Sequence, residues 1–461
     1  MEERSLKYVA TACGTEIALD AADSPVTGVC TDSRQAKAGD VFFAIRGEKF
    51  DGHDFIAEVT AKGVAAVVVE KARAQGPTAA AVPVIAVADV RAALGKLAAT
   101  YRRDFSLPVT AIGGSNGKTT TKELLASVLR QKFSTLWSEA SFNNDIGVPA
   151  TLLRLAKSHR AAVVEVGTNH PGELAPLVSL VQPRSGIITN IGREHLEFFG
   201  DVAGVAREEG ALAEGLPAEG TLFLIGDSEW ADRLAARTRA KVVRVGFGEK
   251  NDWRATKVRL DKNGATFQVA APEADFSGEY RVNLLGRHQV ANALLAIGSG
   301  KEHGLGRAEI QRGLAECQPP KMRMQFWEAG GVRVLEDCYN ANADSMRAAL
   351  ETLCDLPLQG RRVAVLGDMA ELGAWTEAAH AEIGKRAAEL QVGQLFTVGQ
   401  NAAVTAKAAR DAGLTRVIEF VEVEAAVRAV KNFLKPGDVV LLKASRSSRL
   451  ERIAETLKVQ K

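Results

Sequence analysis

Apolar runs of strand length alternate with helical patterns along almost the whole chain. Runs at 41–45, 65–69 and 84–87 predict strands, and helical periodicity falls at 54–62 and 89–104. That alternation predicts parallel sheet covered by helices. Ser106-Leu107-Pro108 reads as a linker, because proline disfavours helix in the residue before it. A strand at 109–113 then runs into a glycine-rich turn and a helix at 119–131, with further strands at 162–166, 186–190, 221–225 and 242–245. Residues 251–284 alternate apolar and polar positions around an Asn263-Gly264 turn, which predicts an appended antiparallel hairpin. A second boundary falls near Gln318-Pro319-Pro320. Beyond it, strands at 332–336, 362–366, 395–398 and 439–443 are each followed by a helical segment, the pattern of a doubly wound domain. The alanine-rich patch at 78–81 reads as a surface turn, and no internal repeat is present.

Composition then removes whole classes. At roughly 150 residues per domain, the 461 residues make three domains. A hydrophobic fraction of 46% with 25% charged residues excludes a disordered chain. Lys and Arg number 58 against 56 Asp and Glu, a net +2, so no global basic field awaits nucleic acid. With 17 Phe, 5 Trp and 4 Tyr, stacking platforms for single strands are not expected either. The five cysteines, Cys13, Cys30, Cys317, Cys338 and Cys354, are odd in number and contain no C-x-x-C, so they read as reduced core residues. The N-terminus has no apolar signal-peptide core, and no window approaches the ~18 apolar residues of a membrane helix. The expectation is a cytoplasmic, soluble α/β protein without a membrane span.

The strongest chemical signal is Gly114-Ser115-Asn116-Gly117-Lys118-Thr119-Thr120, which follows a strand and opens a helix. Glycines let backbone N–H groups approach phosphate oxygens, and a helix N-terminus adds a favourable dipole. Lys118 places a cation on the β- and γ-phosphates, and the Thr119 hydroxyl is suited to Mg²⁺. The loop is shorter than G-x-x-x-x-G-K-[ST], since position 112 is Ile. Mg²⁺ takes hard oxygen ligands, few of them from protein. Glu165 ends the apolar strand AAVVEVG, where a carboxylate is expensive unless it is paired or on a metal. His195 follows another strand end, in Asn190-Ile191-Gly192-Arg193-Glu194-His195. Both sit at carboxyl ends of strands, where ligands gather in open α/β sheets. On residue chemistry alone, Glu165 serves as ligand, salt bridge or cap, and His195 as ligand or hydrogen-bonded loop histidine.

These residues resemble the Mur ligase family, the ATP-dependent amide ligases of peptidoglycan precursor synthesis. The short loop is similar to that family's G-[ST]-x-G-K-T-T, and Asn143-Asn144-Asp145-Ile146-Gly147-Val148-Pro149 to its N-N-x-x-G-x-P. Glu165-Val166-Gly167 resembles its E-x-G, and Gly286-Arg287-His288-Gln289-Val290-Ala291-Asn292-Ala293 its G-x-H-N-x-x-N-A, with Gln289 where Asn is usual. Asp337-Cys338-Tyr339-Asn340-Ala341-Asn342 resembles the D-S-Y-N-A-N of the branch that adds D-Ala-D-Ala to UDP-N-acetylmuramoyl tripeptide. So do Gly367-Asp368-Met369-Ala370-Glu371-Leu372-Gly373 with His380, and Lys443-Ala444-Ser445-Arg446. Thr31-Asp32-Ser33-Arg34 and 47–55 look like uridine-nucleotide elements, and the D-N-P-R motif of a diaminopimelate-adding branch is absent.

The resemblance implies an α/β fold of three domains: a UDP-sugar-peptide domain at 1–105, a central P-loop ATPase-like parallel sheet at 106–317, and a C-terminal Rossmann-like doubly wound domain at 318–461. It implies ATP, one or two Mg²⁺ ions, a monomer and a bacterial cytoplasmic location. In the implied reaction the γ-phosphoryl of ATP activates the substrate carboxylate as an acyl phosphate, which the incoming amine attacks. The catalytic set is Lys118, Glu165, His195 and Glu209, with Thr119, Glu165 and His195 on metal. ATP falls to Gly114, Ser115, Asn116, Gly117, Lys118, Thr119, Thr120, Asn292, Arg323, Asp337, Tyr339 and Asn340. The UDP substrate falls to Ser33, Arg34, Arg46, Gly47, Asn143 and Asn144, and the amine substrate to Asn342, Lys443, Ser445 and Arg446. Whether the tripeptide ends in lysine or diaminopimelate stays open. The alternatives are another ligase of this architecture and a nucleotide-binding regulatory protein retaining the fold.

A further departure from the family falls at a lysine position. A lysine carbamylated by CO₂ is usual in a stretch resembling G-V-A-x-x-K-G-E, and here Glu209 stands at that lysine's position in Gly204-Val205-Ala206-Arg207-Glu208-Glu209-Gly210-Ala211. Glu209 supplies the same negative end group on a shorter stem. It either reaches a second Mg²⁺ through water or an inward shift of the backbone, or it is a solvated helix residue.

Overall fold

The computed structural model describes residues 1–74, 82–357 and 359–458, so the patch at 78–81 lies outside the described residues. Two compact units emerge: Met1–Ala111 with Phe133–Thr168 and Ala175–Pro183, and Ile112–Lys132 with Asn169–Leu174 and Arg184–Lys461.

In the first unit, strands Gly28–Cys30, Asp40–Phe43, Ala66–Glu70 and Val84–Val87 form a parallel sheet in chain order. Phe42, Ala44, Val67 and Val69 share one face with Ile56 and Val59. The helix expected at 54–62 is divided, because the Asp51 carboxylate accepts the His53 N–H and opens a 3₁₀ turn, Gly52–Phe55, ahead of the helix Ile56–Ala61. The helix Val90–Arg102 begins at Asp89, whose side chain accepts the Ala92 N–H. Strands Thr135–Trp137 and Ala161–Glu165 pair in parallel.

In the second unit, Ser185–Ile188, Thr221–Ile225, Lys241–Gly246 and Trp253–Asp261 run parallel. The expected hairpin follows, Trp253–Asp261 against Gly264–Ala270, and gains a third antiparallel strand, Gly278–Val282. The C-terminal sheet has the order Gln325–Ala329, Val332–Asp337, Val439–Lys443, Arg362–Gly367, Gln394–Val398, Val417–Phe420. Only its first pair is antiparallel. Alternate residues of these strands enter two cores. Leu335, Ala364, Leu366, Leu395 and Leu441 pack on one face with helices Ala343–Asp355 and Thr376–Glu389, and Val334, Val363, Val365, Val440 and Leu442 on the other. Burial on both faces explains why these strands read as unbroken apolar runs. The cysteines are all free, four of them buried.

Candidate active site

The phosphate loop is built by backbone geometry. Gly114 has φ +106° and Gly117 φ +85°, and a Cβ on Gly117 would stand 2.8 Å from Asn292 Oδ1. Only glycine meets both demands without strain. Gly117 caps the helix Lys118–Leu129, and the Thr121 N–H donates to Gly117 O at 2.8 Å. The loop is pinned to the strand end that leads to His195. Ser115 N–H donates to Asn190 O at 2.9 Å, Asn116 N–H to Asn190 Oδ1 at 2.7 Å, and Gly192 N–H to Ser115 Oγ at 2.9 Å.

Lys118 Nζ donates to Gly114 O at 2.5 Å and lies 3.3 Å from Glu194 Oε2. Glu194 is buried and also lies 3.8 Å from His195 Nε2. The other ring nitrogen, His195 Nδ1, is bonded to Glu371 Oε2, and this contact holds the Glu371 carboxyl below its ordinary range. Glu209 is 1% exposed, and its Oε2 accepts the Gly114 N–H at 2.6 Å. The solvated-helix reading of Glu209 is therefore corrected: its short stem reaches the first glycine of the loop, and burial pushes its carboxyl up to about 8 against the opposing pull of Lys118.

Several other candidates share the second unit. Asn292 donates to Gln289 Oε1 at 2.9 Å, so the departure at Gln289 keeps a partner for it. Asn342 caps the helix Ala343–Asp355 and donates to Asn116 Oδ1 at 2.9 Å. Arg323 stacks 4.1 Å over the Tyr339 ring. Lys443 and Asp337 are register partners at the carboxyl ends of adjacent strands, and Lys443, 2% exposed, meets Asp337 Oδ2 at 2.6 Å and Asn340 O at 3.1 Å. Its charge is engaged inside the protein, whereas Arg446, beside Glu451, is largely exposed. Ser445 Oγ donates to Ala341 O at 3.2 Å and accepts the Ala370 N–H.

The first unit holds the remaining candidates. Asn143 Nδ2 donates to Glu165 Oε1 at 2.9 Å, and the Gly167 N–H donates to Asn143 O, so two separated motifs form one cluster. Asn144 Oδ1 accepts the Gly147 N–H at 2.9 Å, where the helix Gly147–Leu152 begins. Ser33 is buried, while Arg34 is exposed beside Asp32. Arg46 and Gly47 lie on an exposed turn in which the Gly47 N–H donates to Phe50 O.

Sequence reasoning gave no role to Asn190, Arg193, Glu194 or Glu371. The first three lie in the stretch that brought His195 forward, so adjacency was the available signal. Arg193 holds Asp344 through its backbone N–H and its guanidinium at 2.7–3.1 Å, and Glu382 at 2.5 and 2.9 Å. Its hydrogen bonds hold the Glu382 carboxyl below its ordinary range; at Asp344 burial pushes upward, and Arg193 outweighs it. Carboxyls lowered by folding add stability above their unfolded pKa and lose it as pH falls. Arg193→Leu is expected to cost roughly 1–3 kcal/mol at pH 7, a gap that narrows below about pH 4. Urea unfolding of both proteins across that range checks it.

A phosphate cradle at a strand-to-helix turn, beside buried carboxylates and an imidazole, defines a nucleotide-using enzyme of the P-loop class. Residues 25–102 match the Mur ligase family catalytic domain, 112–300 the Mur ligase middle domain, and 322–446 the Mur ligase glutamate ligase domain. The chain belongs to the Mur ligase family. It is 36% identical to the UDP-N-acetylmuramoyl-tripeptide–D-alanyl-D-alanine ligase of Escherichia coli, over 95% of each chain. A crystal structure of MurF from Acinetobacter baumannii superposes with a TM-score of 0.91 at 32% identity, covering 99% of each chain. The Thermotoga maritima MurF ligase in complex with ADP gives 0.81 at 25% identity, over 94% of this chain and 97% of that one. Among the described residues no helix is long and apolar enough to cross a membrane.

Proposed function

We propose that this chain is an ADP-forming, ATP-dependent ligase that joins D-Ala-D-Ala to UDP-N-acetylmuramoyl tripeptide. It works as a monomer in the bacterial cytoplasm, with the UDP substrate handled by 1–105, ATP by 106–317, and the amine with part of the nucleotide by 318–461. The observation that carries the reading is end-to-end similarity to an enzyme of that name, over 95% of both chains.

A carboxylate is a poor electrophile, and ATP supplies the phosphoryl group that activates it as an acyl phosphate. The glycine-rich turn 114–120 cradles the triphosphate at a helix N-terminus, and Lys118 neutralises charge on the transferring group. Thr119 and His195 would hold the cation, and Glu165, in the first unit, has the ligand role its motif implies. A hydroxyl, a carboxylate and one imidazole suit Mg²⁺, which takes few protein ligands and completes its shell with phosphate and water. Asn342 and Arg446 orient the amine substrate in this reading, and Ser33, Arg34 and Arg46 the nucleotide-sugar. Phosphate release is expected only when ATP, UDP-muramoyl tripeptide and D-Ala-D-Ala are all present. Equal release with either acceptor omitted overturns the reading.

A further inference from the structure

The segment 367–373 was singled out in the sequence, yet nothing in the reaction as described uses it. In the structure it grips the loop that carries His195. The Glu371 carboxylate bonds His195 Nδ1, and the Glu371 carbonyl accepts the Glu197 N–H at 3.1 Å. Gly373 lies so close that a Cβ there would stand 3.0 Å from Glu197 Cα, and Trp375 Nε1 donates to Gly200 O at 2.9 Å. Leu196 and Phe199 share one core with Met369 and Leu372. His195 and Glu371 both hold left-handed backbones, φ +49° and +60°. Such conformations persist where the surroundings over-determine them, and they cluster at functional sites.

A carboxylate only accepts hydrogen bonds, so the proton it meets on His195 is on Nδ1. In a neutral imidazole that leaves Nε2 bare, and Nε2 is the nitrogen on the side of Glu194 and Lys118. We propose that Glu371 is a positioning residue that fixes His195 as the Nδ1-protonated tautomer and aims its Nε2 lone pair at the phosphate loop. Metal-binding histidines are commonly oriented by such a carboxylate. The functional consequence rests on the metal role proposed for His195; the tautomer claim does not.

The test is a ¹⁵N–¹H ring spectrum of the nucleotide-free protein near neutral pH, with the His195 signal assigned by its loss in His195→Asn. The expected pattern is a protonated Nδ1 and a bare Nε2. Glu371→Leu is expected to abolish that bias, and Glu371→Gln, which keeps an acceptor oxygen at the same reach, to restore it. The Mg²⁺ concentration for half-maximal activity is expected to rise about 10-fold in Glu371→Leu. A wild-type His195 protonated on Nε2 overturns the proposal, and this needs no variant to fold. So does a Glu371→Leu protein with an unchanged spectrum. A shifted spectrum with unchanged Mg²⁺ dependence upholds the positioning and removes the metal role of His195.

Discussion

Lys118→Met is expected to lower the rate of ligation by ~10³-fold or more, the scale on which charge stabilisation of a transferring phosphoryl group operates. The side chain stands at the first position of the helix Lys118–Leu129, with its ammonium against Gly114 O and near Glu194. Methionine keeps the stem and removes the charge. The loss is therefore expected in kcat, with a smaller change in KM for ATP, because the glycine-rich turn and the helix N-terminus remain. Glu194 loses its cation in the same variant, so Lys118→Arg is the matched control for charge: a guanidinium pairs with Glu194 but is too broad for the ammonium's place. Steady-state kinetics of phosphate release separate kcat from KM. Ligation by Lys118→Met at the unaltered rate would sink the proposed function.

Much of this site is legible because its chemistry is local. The loop 114–120 carries its own conformational demands in Gly114 and Gly117, and its strand and helix flank it directly. The parallel strands stand out because both faces are buried, as at Val363, Ala364, Val365 and Leu366. What could not be read is long-range pairing between polar side chains. Nothing in the spacing of His195 and Glu371, 176 residues apart, says that they touch. Arg193 and Glu382 are 189 residues apart, and each alone looks like a solvated surface charge. Lys443 had the same look beside a strand end, but register places it opposite Asp337. The edge strand Val417–Phe420 escaped because its exposed side leaves Ile418 open and dilutes the apolar run.

Glu209 shows how burial changes the meaning of a substitution visible in the sequence. In solution, one carboxylate replacing a lysine is only a change of sign. Here the carboxylate is sealed against the Gly114 N–H, with Lys118 and Glu194 in its field. The ionised form is disfavoured chiefly by desolvation, so its pKa rises from 4.5 toward about 8 on folding. An acid raised by folding contributes stability that is full below its unfolded pKa and is lost as pH climbs through the folded one. Glu209→Gln, which keeps the shape and an acceptor oxygen, is expected to flatten that decline. Melting temperatures of the nucleotide-free proteins from pH 5 to 8 are expected to converge at the acid end and favour Glu209→Gln at the alkaline end. Activity separates a functional carboxylate from a structural one. Glu209→Ala is expected to lose ~10–100-fold in Mg²⁺ affinity or activity, the range for groups that support a metal centre. Glu209→Lys is expected to recover with added bicarbonate, because carbamylation returns a carboxylate end group. Full activity and unchanged Mg²⁺ dependence in Glu209→Ala would leave Glu209 as a brace behind the loop and nothing more.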